Sequence, residues 1–195
     1  MKSINIWWNA FVKQFQGISW IQLAICAILI FLVLAVVKKT HKNVMYKDLI
    51  VWLVFLVFSV FIIQITLLNR EADSRSIVET KIHLGLFLEK GGTFQQTFYA
   101  GLNYILFVPW GCALGLIRKR EAPVKRCIMI LLLSFIACFT IECIQMVTGR
   151  GNFEVTDILM NSAGGLSGSI LACLFHKILI KHKGKEESEK GISTI

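Results

Sequence analysis

Apolar residues along this chain gather into long, nearly unbroken runs rather than the one-faced or alternating patterns of a water-soluble fold. The runs at 18–37, 49–68, 127–147 and 158–180 each hold about 20 residues, enough at about 1.5 Å per residue to cross a hydrocarbon core of roughly 30 Å. A fifth run, 100–117, is shorter but continuous. The pattern predicts an all-α, polytopic membrane protein with five transmembrane helices in one domain, 18–180. The alternative is four helices, with 100–117 entering and leaving on the same side. The first run is too long for a signal peptide, and Lys38 and Lys39 follow it without a small-residue cleavage site, so it is expected to be retained. Ahead of it, Ile4, Trp7, Trp8, Phe11 and Phe15 fall at helical spacing opposite Lys2, Asn5, Asn9 and Lys13. That predicts an interfacial amphipathic helix over 1–17, with an unstructured tail as the alternative. The charged segment 181–195 is expected to be a disordered cytoplasmic tail.

Composition supports the membrane reading: of 195 residues 55% are hydrophobic and 17% charged, below the roughly 25% of a soluble domain. The net charge of +9 resolves into a topology signal. Fourteen Lys and Arg lie at 38–48, at 118–126 and beyond 176, against seven at 1–17, 69–99 and 148–154. Cytoplasmic loops carry the excess, which predicts an external N-terminus and a cytoplasmic C-terminus. Because the charges sit in short separate loops, they do not form a nucleic-acid-binding patch; membrane lipid is the expected partner. All six cysteines lie in or at the ends of the runs and none forms a C-x-x-C, so they are read as small buried apolar residues. The four histidines are scattered, no H-E-x-x-H occurs, and neither a metal nor a cofactor is expected.

Depth makes the remaining polar residues informative. In the predicted topology Glu142 and Gln145 lie near the outer end of the fourth span, and Asp157 and Asn161 at the outer start of the fifth. Asn103 lies one turn into the third, and Gln64, Thr66, Asn69 and Arg70 at the outer end of the second, with Arg150 in the turn between the last two. Glu142 and Gln145 share a helix face that Cys138 and Ser134 continue inward. Gly164, Gly168 and Ala172 form a small-xxx-small stripe beside Gly165, and Asn103, Phe107, Gly111 and Gly115 answer it on the third helix. Such stripes let helix backbones approach closely, so helices three, four and five are expected to pack together beneath a polar cluster. Pro109 adds a freed carbonyl at Ile105. A charged side chain at the centre of a membrane helix costs about 2.5–3.5 kcal/mol, so Glu142 requires a partner or a wet cavity, and Arg70 and Arg150 are at its level. Two readings are open: an ion pair with amide bonds that braces the bundle, or a polar site open to the outer surface.

At these residues the chain resembles the VanZ-like family of bacterial membrane proteins. The resemblance rests on TLLNR (66–70), NYILFVPWGCAL (103–114), IECIQ (141–145) and GRGNFEVTDILMNSAGG (149–165), followed by Gly168, and so spans 66–168. The family's polar positions match Arg70, Asn103, Glu142, Gln145, Arg150, Asp157 and Asn161. Two departures stand out: Asn69 precedes Arg70 where many members have Gly, and IHLGLFLEKGG replaces an Asn-Leu-Ile-Pro-Phe block before the third span. The resemblance implies a multi-pass protein of the bacterial cytoplasmic membrane with a cell-envelope role, including teicoplanin or other glycopeptide resistance in a Gram-positive bacterium. A non-enzymatic site for a lipid-linked peptidoglycan precursor, a lipoglycopeptide or a partner protein is the leading expectation. The alternatives are an intramembrane enzyme using Glu142 or Asp157 as acid or base, and a small transporter or flippase, which would need ionisable groups through the whole depth.

Overall fold

The computed structural model describes residues 12, 18–41, 45–68, 82–83, 94–151 and 153–192. Apart from residue 12, the interfacial helix expected over 1–17 lies outside them, as does Arg70. In chain order the elements are α1 (Trp20–Thr40), α2 (Tyr46–Ile63) ending in a π-helical turn (Gln64–Leu68), β1 (Ile82–His83), α3 (Phe94–Ile117), α4 (Pro123–Val147), β2 (Phe153–Glu154) and α5 (Val155–Ile192). Among the described residues, five helices are long and apolar enough to cross a membrane.

The helix ends reflect local chemistry. The Ser19 hydroxyl accepts the Gln22 N–H at 3.3 Å and caps α1. Pro123 opens α4, where its missing N–H removes no helical bond. Gly149 closes α4 at φ 66°, while its N–H reaches the Met146 carbonyl at 3.3 Å and the Arg150 N–H reaches that of Gln145 at 2.9 Å. This pair of bonds is a Schellman motif, in which glycine takes the left-handed conformation at little steric cost.

Helices α3 and α5 pair most closely; α4 also packs on α5, α2 on α3, and α1 on α2. A Cβ at Gly168 would strike the Val108 carbonyl and lie 2.6 Å from the Cys112 nitrogen, and one at Gly111 would lie 2.7 Å from the Gly165 Cα. A Cβ at Gly115 would come 2.7 Å from the Ala172 Cβ, and one at Gly164 would strike the Tyr104 carbonyl. Gly165 leaves room for the Ser134 hydroxyl of α4, so α5 is approached by backbone on one side and a small polar side chain on another. Hydrogen bonds join the same surfaces: the Tyr104 hydroxyl donates to Ser167 at 2.8 Å, and the Trp110 indole donates to Ser59 at 3.0 Å. Phe107, Trp110, Leu114, Ile62, Ile130 and Ile141 form the apolar core around them.

Two features depart from the expected pattern. The helix α5 runs on to Ile192, so 181–192, expected to be disordered, continues a helix. Extending an existing helix avoids the nucleation step, and Lys and Glu are good helix formers. The second feature is a two-residue parallel ladder inside the long connection, pairing Ile82 with Phe153 and His83 with Glu154. It holds part of 69–93 against the start of α5, an arrangement with no signature in a stretch this short.

Candidate functional site

Polar side chains collect at the end of the bundle where α2 finishes, α4 finishes and α5 begins. Each is nearly enclosed: Glu142 is 2% exposed, Gln145 1%, Asn161 4%, Asp157 8% and Asn103 9%. Arg150 is half-buried at the turn.

The Glu142 carboxylate accepts the Glu154 N–H at 2.9 Å. Glu154 directly precedes the first residue of α5, so α4 supplies an acceptor to the N-terminal end of its neighbour. A carboxylate there receives N–H groups that have no helical partner and lies at the positive end of the helix dipole. Asp157 adds a second carboxylate in the first turn of α5. Arg150 directs Nη1 to the Leu67 carbonyl at 2.6 Å, and Gln145 directs Nε2 to the Thr66 carbonyl at 2.8 Å. Both acceptors lie in the π-helical turn, where the last carbonyls of α2 meet side chains from α4 and the turn after it. Gln64, in the same turn, donates to the Ser19 carbonyl at 3.2 Å and so ties the start of α1 to the end of α2.

Deeper in, the Asn161 amide meets the Cys138 sulfur at 2.9 Å, and the Ser134 hydroxyl donates to the Ile130 carbonyl at 2.8 Å. The structure thus links Glu142, Gln145, Arg150 and Asn161 into α2, α4 and α5 through backbone and thiol groups. Asn103 is buried on α3.

Two amide atoms on α4 and α5 are left over. A carbonyl only accepts, so Gln145 must face Thr66 with its NH₂, and its buried Oε1 has no partner. Asn161 likewise has one amide atom at the thiol and the other, Oδ1, buried without a partner. Buried acceptors left unmade cost about 1–3 kcal/mol each, so both are places where a hydrogen-bond donor from water or a ligand would be stabilised.

Side-chain patterning did not single out several contributors. The Thr66 and Leu67 carbonyls and the Glu154 N–H are backbone groups with no residue signature. Cys138 was visible on the Glu142 stripe but read as an apolar residue. At the opposite, basic end, Arg126 looked like a loop charge, yet it is 3% exposed and donates Nη2 to the Lys119 and Glu121 carbonyls at 2.9 and 3.0 Å. Among the described residues no group of three or more His, Cys, Asp or Glu side chains could hold a metal ion.

Neither a comparison with curated proteins nor one with solved structures finds a match. The family comparison does: the VanZ/LLP1 sequence model matches residues 44–176, from the start of α2 into the second half of α5, leaving α1 outside. With well over half its length matched, and with five helices able to cross a membrane, this chain belongs to the VanZ/LLP1 family.

Proposed function

We propose that the chain acts in the bacterial cytoplasmic membrane as a non-enzymatic envelope protein, its polar end facing outward and its C-terminus in the cytoplasm. In this reading the cluster of Asn103, Glu142, Gln145, Arg150, Asp157 and Asn161, with Arg70, engages a lipid-linked wall precursor or a glycopeptide such as teicoplanin. One observation carries it: the buried Gln145 Oε1 and Asn161 Oδ1 are left without partners. A cluster that only braced helices would gain by closing both, whereas one that receives the hydroxyl or amide N–H groups of a ligand keeps acceptors in reserve. Family membership supports the envelope role.

The test is glycopeptide susceptibility of a deletion strain complemented with wild type, Glu142→Gln or Asp157→Asn at matched membrane levels. Both variants are expected to fall toward the deletion strain. Susceptibility that is identical in all four strains, together with unchanged binding of lipid-linked precursor by the purified protein, would leave the cluster as a brace alone. The two carboxylates buried at the start of α5 favour a second reading, acid–base chemistry on a lipid-linked substrate. Turnover of such a precursor by purified protein, abolished by Glu142→Gln, would move the assignment there.

A further inference from the structure

At the basic end of the bundle, far from the polar cluster, a crevice of about 570 Å³ opens between α1 and α2. Phe31 and Leu34 of α1 face Leu49 and Leu53 of α2 across it, and its walls are mainly apolar. Lys38 and Lys39, in the last turn of α1, stand at its mouth, and among the described residues no carboxylate lines it. Tyr46, at the start of α2, lies under Lys38, with the ammonium 4.6 Å from the ring centroid, a cation–π contact that holds one charge at the rim. Asp48, the carboxylate of the α2 first turn, is paired away from the crevice with Lys119 of the α3–α4 turn.

We infer that this crevice binds an anionic glycerophospholipid, with an acyl chain between α1 and α2 and the headgroup phosphate on Lys38 and Lys39. Each part of the site matches one part of that molecule. The depth from Lys38 to Phe31 is about 10 Å at the helical rise, and it is apolar where an acyl chain would lie. The charges sit only at the end where a headgroup would emerge, and both are positive. A zwitterionic lipid would fill the same walls without gaining the net attraction. Helix α1 buries none of its span and packs on α2, so a lipid in this seam would also supply the side contacts that the bundle does not.

The full-length protein, reconstituted in zwitterionic vesicles, would be labelled with photoreactive acyl-chain analogues of phosphatidylglycerol or phosphatidylcholine. Adducts from the phosphatidylglycerol probe are expected to concentrate on residues 31–53, exceeding those from the phosphatidylcholine probe by roughly fivefold for each lysine engaged. Lys38→Gln with Lys39→Gln should bring the two probes level, and the paired Arg substitutions should keep the difference. Ala35→Phe, which narrows the crevice, should reduce adducts there from both probes while leaving those on α4 unchanged. Equal labelling by both probes in wild type, adducts spread evenly over the lipid-facing helices, or a Gln pair that keeps the preference would each overturn the assignment.

Discussion

Helices α1 and α5 are both apolar enough to cross a membrane, yet they occupy opposite places in the bundle. The most apolar of the five, α1, has none of its span buried; the least apolar, α5, has 44% of its span buried. Ile28, Leu29, Leu32, Val33 and Val36 of α1 point outward, whereas Gly164, Gly165, Gly168 and Ser169 of α5 are enclosed. In water the ranking would be reversed. In lipid, acyl chains solvate a leucine as well as another helix does, so the interior goes to small residues that permit close contact and to polar residues that require a partner. Among these helices, low hydropathy marks the centre and high hydropathy the rim. The family match agrees, covering α2 to α5 and omitting α1.

Four substitutions test this contrast. Gly168→Leu drives a side chain into the Val108 carbonyl and the Cys112 nitrogen and should cost about 3 kcal/mol or more in denaturant unfolding of the reconstituted protein. Tolerance of it would mean that α3 and α5 can separate without consequence, and the contrast would fail. Gln145→Leu should cost about 1–3 kcal/mol in the same assay, because it leaves the Thr66 carbonyl enclosed without its donor. Tyr104→Phe removes the bond to Ser167 and should cost about 0.6 kcal/mol, the usual size of such bonds between membrane helices. Leu29→Ala on α1 should change stability by less than about 0.5 kcal/mol, since the side chain faces outward. A cost from Leu29→Ala matching that of Gly168→Leu would show that α1 is a core helix.

The helices could be read from the sequence because a membrane span is a requirement on length and apolarity, and both are visible in the residues. Their ends were less visible: α3 begins at Phe94 rather than near Ala100, and α5 continues beyond its apolar stretch. The polar residues were visible for a related reason. A glutamate such as Glu142 inside an apolar run is expensive, so its presence is a signal by itself. One of its partners was not visible, because it is the Glu154 backbone N–H. Gln145 and Arg150 likewise end on carbonyls, which every residue has. Charge counting placed Arg126 with the basic loop but gave no sign that its guanidinium is enclosed and braces the turn through the Lys119 and Glu121 carbonyls. A side-chain pattern records which groups need partners; which backbone atoms supply them depends on the path of the chain.

The π-helical turn at Gln64–Leu68 carries this to a practical end. Its contribution to the cluster is two carbonyl oxygens, and no side-chain replacement removes those. An alanine scan through Ile65, Leu67 and Leu68 would therefore pass over the contact with Gln145 and Arg150. Loss of one codon in the same stretch would not. Removing a residue tightens a π turn toward α pitch and changes where the carbonyls within the turn point. Both acceptors would then swing away from the groups that reach them. At this point in the chain the quantity under constraint is the number of residues rather than their identity.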